Sequence, residues 1–324
     1  MKIVITGGAG YIGSILVEEL LKLNFDVGVI DIFEFGLHSL KSSINNPKLK
    51  IYIKDIRDDM EFEFLQDYDI MIHLAGIVGD PACASNANLA IDININGTEN
   101  ILNQSKKYGI KHFIFASSCS VYGSNIKPEI LLDEKSKLNP LSLYAETKVK
   151  GEEIINNFDL NDMKVTIFRF GTLFGLSNRP RFDLVINFLT GKLYHEKNGK
   201  IFGGQQWRPF VHVRDVVNAI ILGLNQENKD KINLFNVGSN ELNLQMKDLI
   251  PIYEKNLDEI SLLLDESIVD YRNYRVRFDK IQKILNFKAE FTVDDGINEM
   301  VNAFADNVIK DYRNKLFRNY LQNE

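Results

Sequence analysis

The sequence predicts an α/β protein, with a doubly wound parallel sheet and a smaller C-terminal mixed α/β lobe. Three observations carry this. Short apolar runs alternate with longer stretches of 3.6-residue periodicity through the first half of the chain. A glycine-rich turn joins the first run to the first helical stretch. The regular alternation stops near Gly175.

Taken in order, residues 2–6 read as a buried strand. Residues 11–23 read as a helix, with Ile12, Ile15, Leu16, Leu20 and Leu23 near helical spacing. Strands are predicted at 27–31, 50–53, 69–75, 112–117 and 164–170, with helices at 89–108 and 144–157. Such alternation implies parallel βαβ units. Beyond Gly175, residues 184–190, 213–224, 246–253 and 293–304 read as helices, and 232–237 and 260–264 as strands. The expected division is a sheet domain over 1–175 and a substrate lobe over 176–324, interleaved with it above the carboxyl edge of the sheet. No linker rich in Pro, Gly or Ser separates the two. Residues 310–324 are polar and read as peripheral.

Composition narrows the function classes. At 324 residues the chain is long enough to bury a large core. A net charge of -6 repels phosphate backbones, so nucleic acid is not expected as a partner. The two cysteines, Cys83 and Cys119, fit neither a zinc site nor a disulfide framework; no metal is expected, and a reducing cytoplasm is the expected setting. No apolar run reaches the length of a membrane span, so no membrane partner is expected. The first residues, cut by Gly7, Gly8, Gly10 and Gly13 and followed by Glu18 and Glu19, do not read as a secretory leader.

Thr6-Gly7-Gly8-Ala9-Gly10-Tyr11-Ile12-Gly13 leaves the first strand and opens the first helix. Glycines at 7, 10 and 13 permit a tight turn, close approach of a pyrophosphate and close helix packing. The N–H groups of Tyr11, Ile12 and Gly13 then face that pyrophosphate at the positive end of the helix dipole. Asp31 ends the second strand, 18 residues after Gly13. A carboxylate there accepts from both adenosine ribose hydroxyls and repels a 2′-phosphate, and the first cation downstream is Lys41. NAD is therefore expected rather than NADP. Asp55-Ile56 either holds the adenine edge or forms a simple turn. In His73-Leu74-Ala75-Gly76, Leu74, Ala75 and Gly76 either let the backbone approach the cofactor or pack strand on helix.

Tyr144-Ala-Glu-Thr-Lys148 carries the chemistry. Residues four apart share a helix face. A nearby ammonium favours the phenolate and lowers a tyrosine pKa from about 10. Such a tyrosine can take a proton from a sugar hydroxyl. Of twelve tyrosines only Tyr144 has lysine four places on. The spacing decides little, but the pair opens the helix after the fifth strand, just past Pro140. Ser117-Ser118-Cys119-Ser120 leaves the end of that strand, where a serine hydroxyl either serves the reacting oxygen or bonds its own backbone.

With these residues in place, the sequence resembles the extended short-chain dehydrogenase/reductases, specifically the NAD-dependent epimerase/dehydratase family acting on nucleotide sugars. The matching stretches run in order: TGGAGYIG, Asp31, Asp55-Ile56, HLAG, Asn94-Ile-Asn-Gly-Thr98, SSCSVYG at 117–123, Tyr144 with Lys148, Arg169-Phe-Gly-Thr-Leu-Phe-Gly175 and Arg208-Pro-Phe-Val-His-Val-Arg-Asp215. They cover most of residues 1–290. The resemblance implies a Rossmann domain with a nucleotide-sugar lobe. It implies Tyr144 as base, Lys148 as its partner and a ligand of the nicotinamide ribose, and Ser118 as the aligned hydroxyl, with Ser120 beside it towards substrate. Asn94 matches the asparagine of the helix behind the active site, and is grouped with the cofactor residues. Arg208 matches the arginine that holds the substrate diphosphate. Arg272 is either a second diphosphate ligand or a surface arginine.

Relatives that dehydrate sugars carry an Asp-Glu pair after the Ser/Thr, whereas this chain has Cys119-Ser120. A 4,6-dehydratase is thereby disfavoured and a nucleotide-sugar 4-epimerase is the expectation. A C4 dehydrogenase or 4-ketoreductase is the alternative, because residues 177–187 are similar to a subgroup that includes GDP-heptose C4 oxidases, and because Thr172 replaces a common asparagine. In that stretch Arg179 and Arg181 are candidate contacts for substrate phosphate or sugar, and Asn187 for sugar or nucleotide. Gly76 to Pro81 should form a loop over nicotinamide and sugar. Neither cysteine is given a role. A homodimer through the helices at 89–108 and 144–157 is expected by resemblance.

Overall fold

The computed structural model of the chain describes residues 1–58, 62–125, 129–225, 230–267 and 270–320. In chain order the first half contains β1 (Lys2–Thr6), α1 (Tyr11–Lys22), β2 (Asp26–Asp31), β3 (Leu49–Ile53), β4 (Ile70–His73), α2 (Asp80–Ser85), α3 (Ala87–Ile91), α4 (Gly97–Lys107), β5 (His112–Ser118), β6 (Leu131–Leu132), α5 (Leu143–Asn157), β7 (Lys164–Phe170) and β8 (Thr172–Phe174). The second half contains α6 (Val185–Glu196), β9 (Asn198–Phe202), β10 (Trp207–His212), α7 (Val213–Leu224), β11 (Ile232–Val237), β12 (Asn243–Gln245), α8 (Leu249–Asn256), β13 (Ser261–Asp265), β14 (Arg275–Val276), α9 (Asp279–Leu285) and α10 (Val293–Ala305).

The main sheet has seven strands in the order β11-β7-β5-β4-β1-β2-β3. Every pairing in it is parallel. Successive side chains of β1 face opposite ways. Ile3 and Ile5 join α1, α7 and α9 on one face, through Leu16, Leu20, Val216, Ile220 and Ile281. Val4 joins α4 and α5 on the other, through Ile101, Leu102 and Ile155. Burying each of these aliphatic chains contributes about 1.5–3 kcal/mol. Burial on both faces explains why the strands read as unbroken apolar runs.

The chain winds outward in opposite directions from β1. The carboxyl ends of β1 and β4 therefore flank the point where strand order reverses, which is where open α/β sheets bind ligands.

The predicted helix over 89–108 proves to be α3 and α4 joined by a π turn at Asp92–Asn96. A second difference concerns β11. Sequence reading placed 232–237 in the small lobe, but it pairs with β7 as an edge of the main sheet. Its alternation looks the same in either setting, and only the crossover through α7 decides. The lobe proper has its own core, built from Phe174, Phe182, Ile186, Phe210, Tyr253, Ile297 and Phe304.

A third difference is the C-terminal stretch. It is docked, not peripheral, over its described part. Tyr312 is buried, and the Phe182 amide donates to the Phe317 carbonyl at 2.8 Å. Two apolar side chains, Tyr312 and Phe317, anchor an otherwise polar segment on the lobe core. Residues 321–324 lie outside the described part. No helix among the described residues is long and apolar enough to cross a membrane.

Candidate active site

A cavity of about 460 Å³ opens at the switch point. Its walls bring together Gly7, Gly10, Tyr11, Ile12, Gly13, Asp31, Asp55, Ile56, Leu74, Ala75 and Gly76 with Ser118, Tyr144 and Lys148. The glycine loop and the tyrosine-lysine pair thus share one cleft.

The loop is shaped by what glycine lacks. Gly7 has φ of 72°, and a Cβ there would lie 2.8 Å from the Ala75 nitrogen. A Cβ on Gly13 would lie 2.3 Å from the Gly7 carbonyl oxygen. Gly10 precedes α1 with no side chain to cap it, so the first-turn N–H groups remain turned to the cavity. The Tyr11 phenol points away and donates to the Gly175 carbonyl at 2.6 Å.

Asp31 accepts from the amides of Ala9 at 3.0 Å and Phe33 at 2.8 Å. Burial raises its carboxyl above the usual range, and the two amides partly offset this. Asp55 is clamped by Arg57, which bridges on to Asp92. That pairing holds the Asp55 carboxyl below the usual range. A cradle that a Cβ would fill, backbone donors at a helix start and an acid at the end of β2 fit a dinucleotide.

Tyr144 lines the opposite end. Ser142 caps α5, its hydroxyl accepting from the Ala145 amide at 3.3 Å, and this sets Tyr144 on the first turn. Lys148 is buried, donates to the Ala116 carbonyl at 2.8 Å and lies 5.8 Å from the Tyr144 ring centre. Burial lowers the Lys148 pKa to about 8. Burial raises the Tyr144 phenol, while Arg181 and a hydrogen bond with Ser118 pull it down. The net effect is upward, against the lowering expected from the sequence, and the Tyr144 hydroxyl, with Ser118 and a cation in reach, is the atom at which a proton would be exchanged.

Other predicted residues fall elsewhere. Asn94 lies behind the cavity. Its Oδ1 accepts from the Ile77 amide at 2.8 Å, and its Nδ2 donates to the Ile77 carbonyl at 2.9 Å and to Thr147 at 3.1 Å. It pins the loop over the cleft. Asn187 is likewise engaged with backbone: Oδ1 accepts from the Gly175 amide, and Nδ2 donates to the carbonyls of Gly175 and Arg181. Arg179 and Arg181 do line the cavity. Arg181 is paired with Asp183 at 2.6 Å.

Arg208 and Arg272 stand beside the cavity rather than on its wall, in a cluster with Asp270 and Asp80. Arg208 donates to Asp270 at 2.6 Å, and Arg272 donates to Asp270 and to Asp80. Asp80 also accepts from Ser142 at 2.6 Å. The Ser120 hydroxyl is buried without a hydrogen-bond partner among the described residues. Cys119 is buried, donates to the Arg169 carbonyl and has its thiol pushed up by burial. Burial also raises Cys83, to about 11. Both thiols are inert in this setting.

Sequence reading missed Phe33, Glu34, Phe35 and Asn319, all of which line the cavity, whereas Ile77 and Val78 belong to the loop expected over the cleft. Two phenylalanines two and four residues after Asp31 were a usable signal. Asn319 gave none.

Comparison with known proteins agrees with this geometry. The model of the NAD dependent epimerase/dehydratase family matches residues 3–238. A putative UDP-glucose 4-epimerase of Methanocaldococcus jannaschii is 33% identical, over 94% of this chain and 99% of the relative. A UDP-glucuronate 4-epimerase of Thermodesulfobacterium geofontis is 30% identical, over 94% of this chain and 96% of the relative. The crystal structure of UDP-glucuronic acid 4-epimerase from Bacillus cereus, in complex with UDP-glucuronic acid and NAD, superposes with a TM-score of 0.82 at 27% identity, over 95% of this chain and all of that one. With its cradle, its acid at the end of β2 and its Ser-Tyr-Lys set in one cleft, the chain is an enzyme of the NAD dependent epimerase/dehydratase family.

Proposed function

We propose that the chain inverts the C4 hydroxyl of a nucleotide-diphosphate sugar. The observation that carries this is the chemistry available at the Ser118 end of the cleft. The carboxylates on the cavity wall, Asp31, Glu34 and Asp55, all belong to the end formed by β2 and β3. The turn after Ser118 offers only the buried Cys119 and the Ser120 hydroxyl. Loss of water from a sugar needs an acid and a base there. Oxidation at one carbon needs only Tyr144, Ser118 and Lys148 beside NAD as the oxidant.

Tyr144 takes the proton from the C4 hydroxyl, with Ser118 hydrogen-bonded to the same phenol. The Lys148 ammonium stabilises the phenolate. NAD, held by the glycine loop and Asp31, would supply a reversible two-electron acceptor for C4. Tyr144 then gives a proton back to the C4 oxygen. Arg208 and Arg272 meet the sugar's diphosphate by exchanging carboxylate partners for phosphate oxygens. The names of the relatives support this reading and make UDP-hexoses and UDP-glucuronate the first substrates to try.

The test is a nucleotide-sugar panel with excess NAD, following reduced nicotinamide by absorbance and sugars by chromatography. An epimerised sugar with no net NADH is expected. NADH formed in step with product would replace the proposal by a C4 dehydrogenase.

A further inference from the structure

Arg179 is 2% exposed, yet its guanidinium meets no carboxylate in salt-bridge contact among the described residues. Nη1 donates to the Asn319 side-chain oxygen at 2.6 Å, and Nη2 to the Arg318 carbonyl at 3.3 Å. Nε has no partner. The guanidinium stacks on Phe35, 3.7 Å from the ring centre. Burial, with repulsion from Arg181, lowers its pKa to about 10, so it stays a cation at neutral pH. A buried cation served only by neutral acceptors is costly unless an anion completes its shell.

Position tells which anion. The Arg179 amide donates to the Ser177 hydroxyl, and that hydroxyl donates to the Tyr11 carbonyl at 2.6 Å. Arg179 is thus tethered to the first turn of α1, whose free N–H groups face the same cavity. Asp31 and Glu34 are among the charges that act on it. Phe35 comes four residues after Asp31. These neighbours belong to the dinucleotide side of the cleft. Asn319 also donates to the Val78 carbonyl at 3.1 Å, so the docked C-terminal segment spans from Arg179 to the loop pinned by Asn94.

We infer that Arg179 binds the diphosphate of the cofactor beside the first turn of α1, and that Asn319 positions it and closes that wall of the cavity. This reassigns Arg179 from substrate to cofactor. It extends the anion site from backbone donors alone to backbone donors plus one forked cation. It holds whichever reaction follows at the sugar.

The test is calorimetric titration of the full chain, freed of nucleotide, with NAD, ADP-ribose and adenosine. Arg179→Lys keeps a charge but loses the fork and the stack. It should weaken NAD and ADP-ribose alike by about tenfold or more and leave adenosine within about twofold. Asn319→Ala, at a half-buried position, should weaken both diphosphates by about threefold to tenfold and speed NAD release. If Arg179→Lys does not fold, Asn319→Ala decides alone. Unchanged NAD affinity in the folded variants overturns the inference. So does a raised KM for the nucleotide sugar with unchanged NAD affinity, which returns Arg179 to the substrate. None of these titrations needs turnover, so failure of the epimerase proposal would leave them readable.

Discussion

In the proposed reading, the two ends of the cleft prepare for diphosphates by opposite means. At the β1–α1 end the donors are backbone N–H groups, fixed by glycines whose Cβ positions are already taken by neighbouring atoms. Nothing there must move to receive a phosphate. At the lobe end the proposed donors are Arg208 and Arg272, and both are already engaged with Asp270, and Arg272 also with Asp80. A phosphate must displace a carboxylate to bind. Backbone donors give a preformed site with little adjustment. Side-chain cations give an adjustable one, held open by internal counter-charges until substrate arrives. Asp80 lies on the loop side and Asp270 on the lobe side, so exchange of partners would also loosen the tie between them.

The largest break in this comparison is expected where the ends meet. Tyr144→Phe should lower turnover by about 10²–10⁴-fold and leave NAD affinity within about twofold. Stopped turnover together with lost NAD would mean that Tyr144 shapes the cofactor site instead. Next comes the rigid end. In Gly13→Ala the new methyl meets backbone 2.3 Å away, which cannot give way as a side-chain tip would. A strain of about 1–3 kcal/mol follows, and NAD affinity should fall about tenfold to hundredfold. Unchanged affinity by calorimetry would show that the loop is softer than its contacts imply.

The adjustable end should respond in KM. Arg208→Lys retains charge without the fork, and KM for the nucleotide sugar should rise about tenfold with NAD affinity unchanged. An equal loss of NAD affinity would merge the two ends into one site. The smallest effect concerns the layer behind the cofactor loop. His73 bonds Thr6 and Thr98 through its two ring nitrogens. Burial holds its pKa at about 3, and that of His112 at about 4. The unfolded chain binds these protons near pH 6.5 and the folded chain does not. Stability should therefore be full above pH 6.5 and fall by about 1 kcal/mol per histidine for each unit below it, down to their folded values. Urea midpoints against pH would show this, and a flat profile between pH 6.5 and 5 would remove it.

The proposed homodimer rests on family likeness alone. The apolar faces of α4 and α5 are turned into the sheet through Ile101, Leu102 and Ile155. Light scattering at working concentration measures it directly.

Most of what the sequence determined by itself is local. The strand and helix alternation, the glycine loop, Asp31 and the tyrosine-lysine pair each depend on one short stretch with its own period or stereochemistry. A glycine is needed wherever a Cβ has no room, and a helix places Tyr144 and Lys148 on one face wherever it sits. What only the tertiary structure decided is where polar side chains end up pointing. Asn94 and Asn187 looked like ligands, but their amides are saturated by backbone groups that the fold brings from elsewhere. Asn319 looked like tail and lines the cavity instead. Ile232–Val237 read as lobe and became the edge of the main sheet. An amide or a guanidinium satisfies its hydrogen bonds with whatever lies within about 3 Å, and that neighbourhood is set by chain crossings dozens of residues apart rather than by any local pattern.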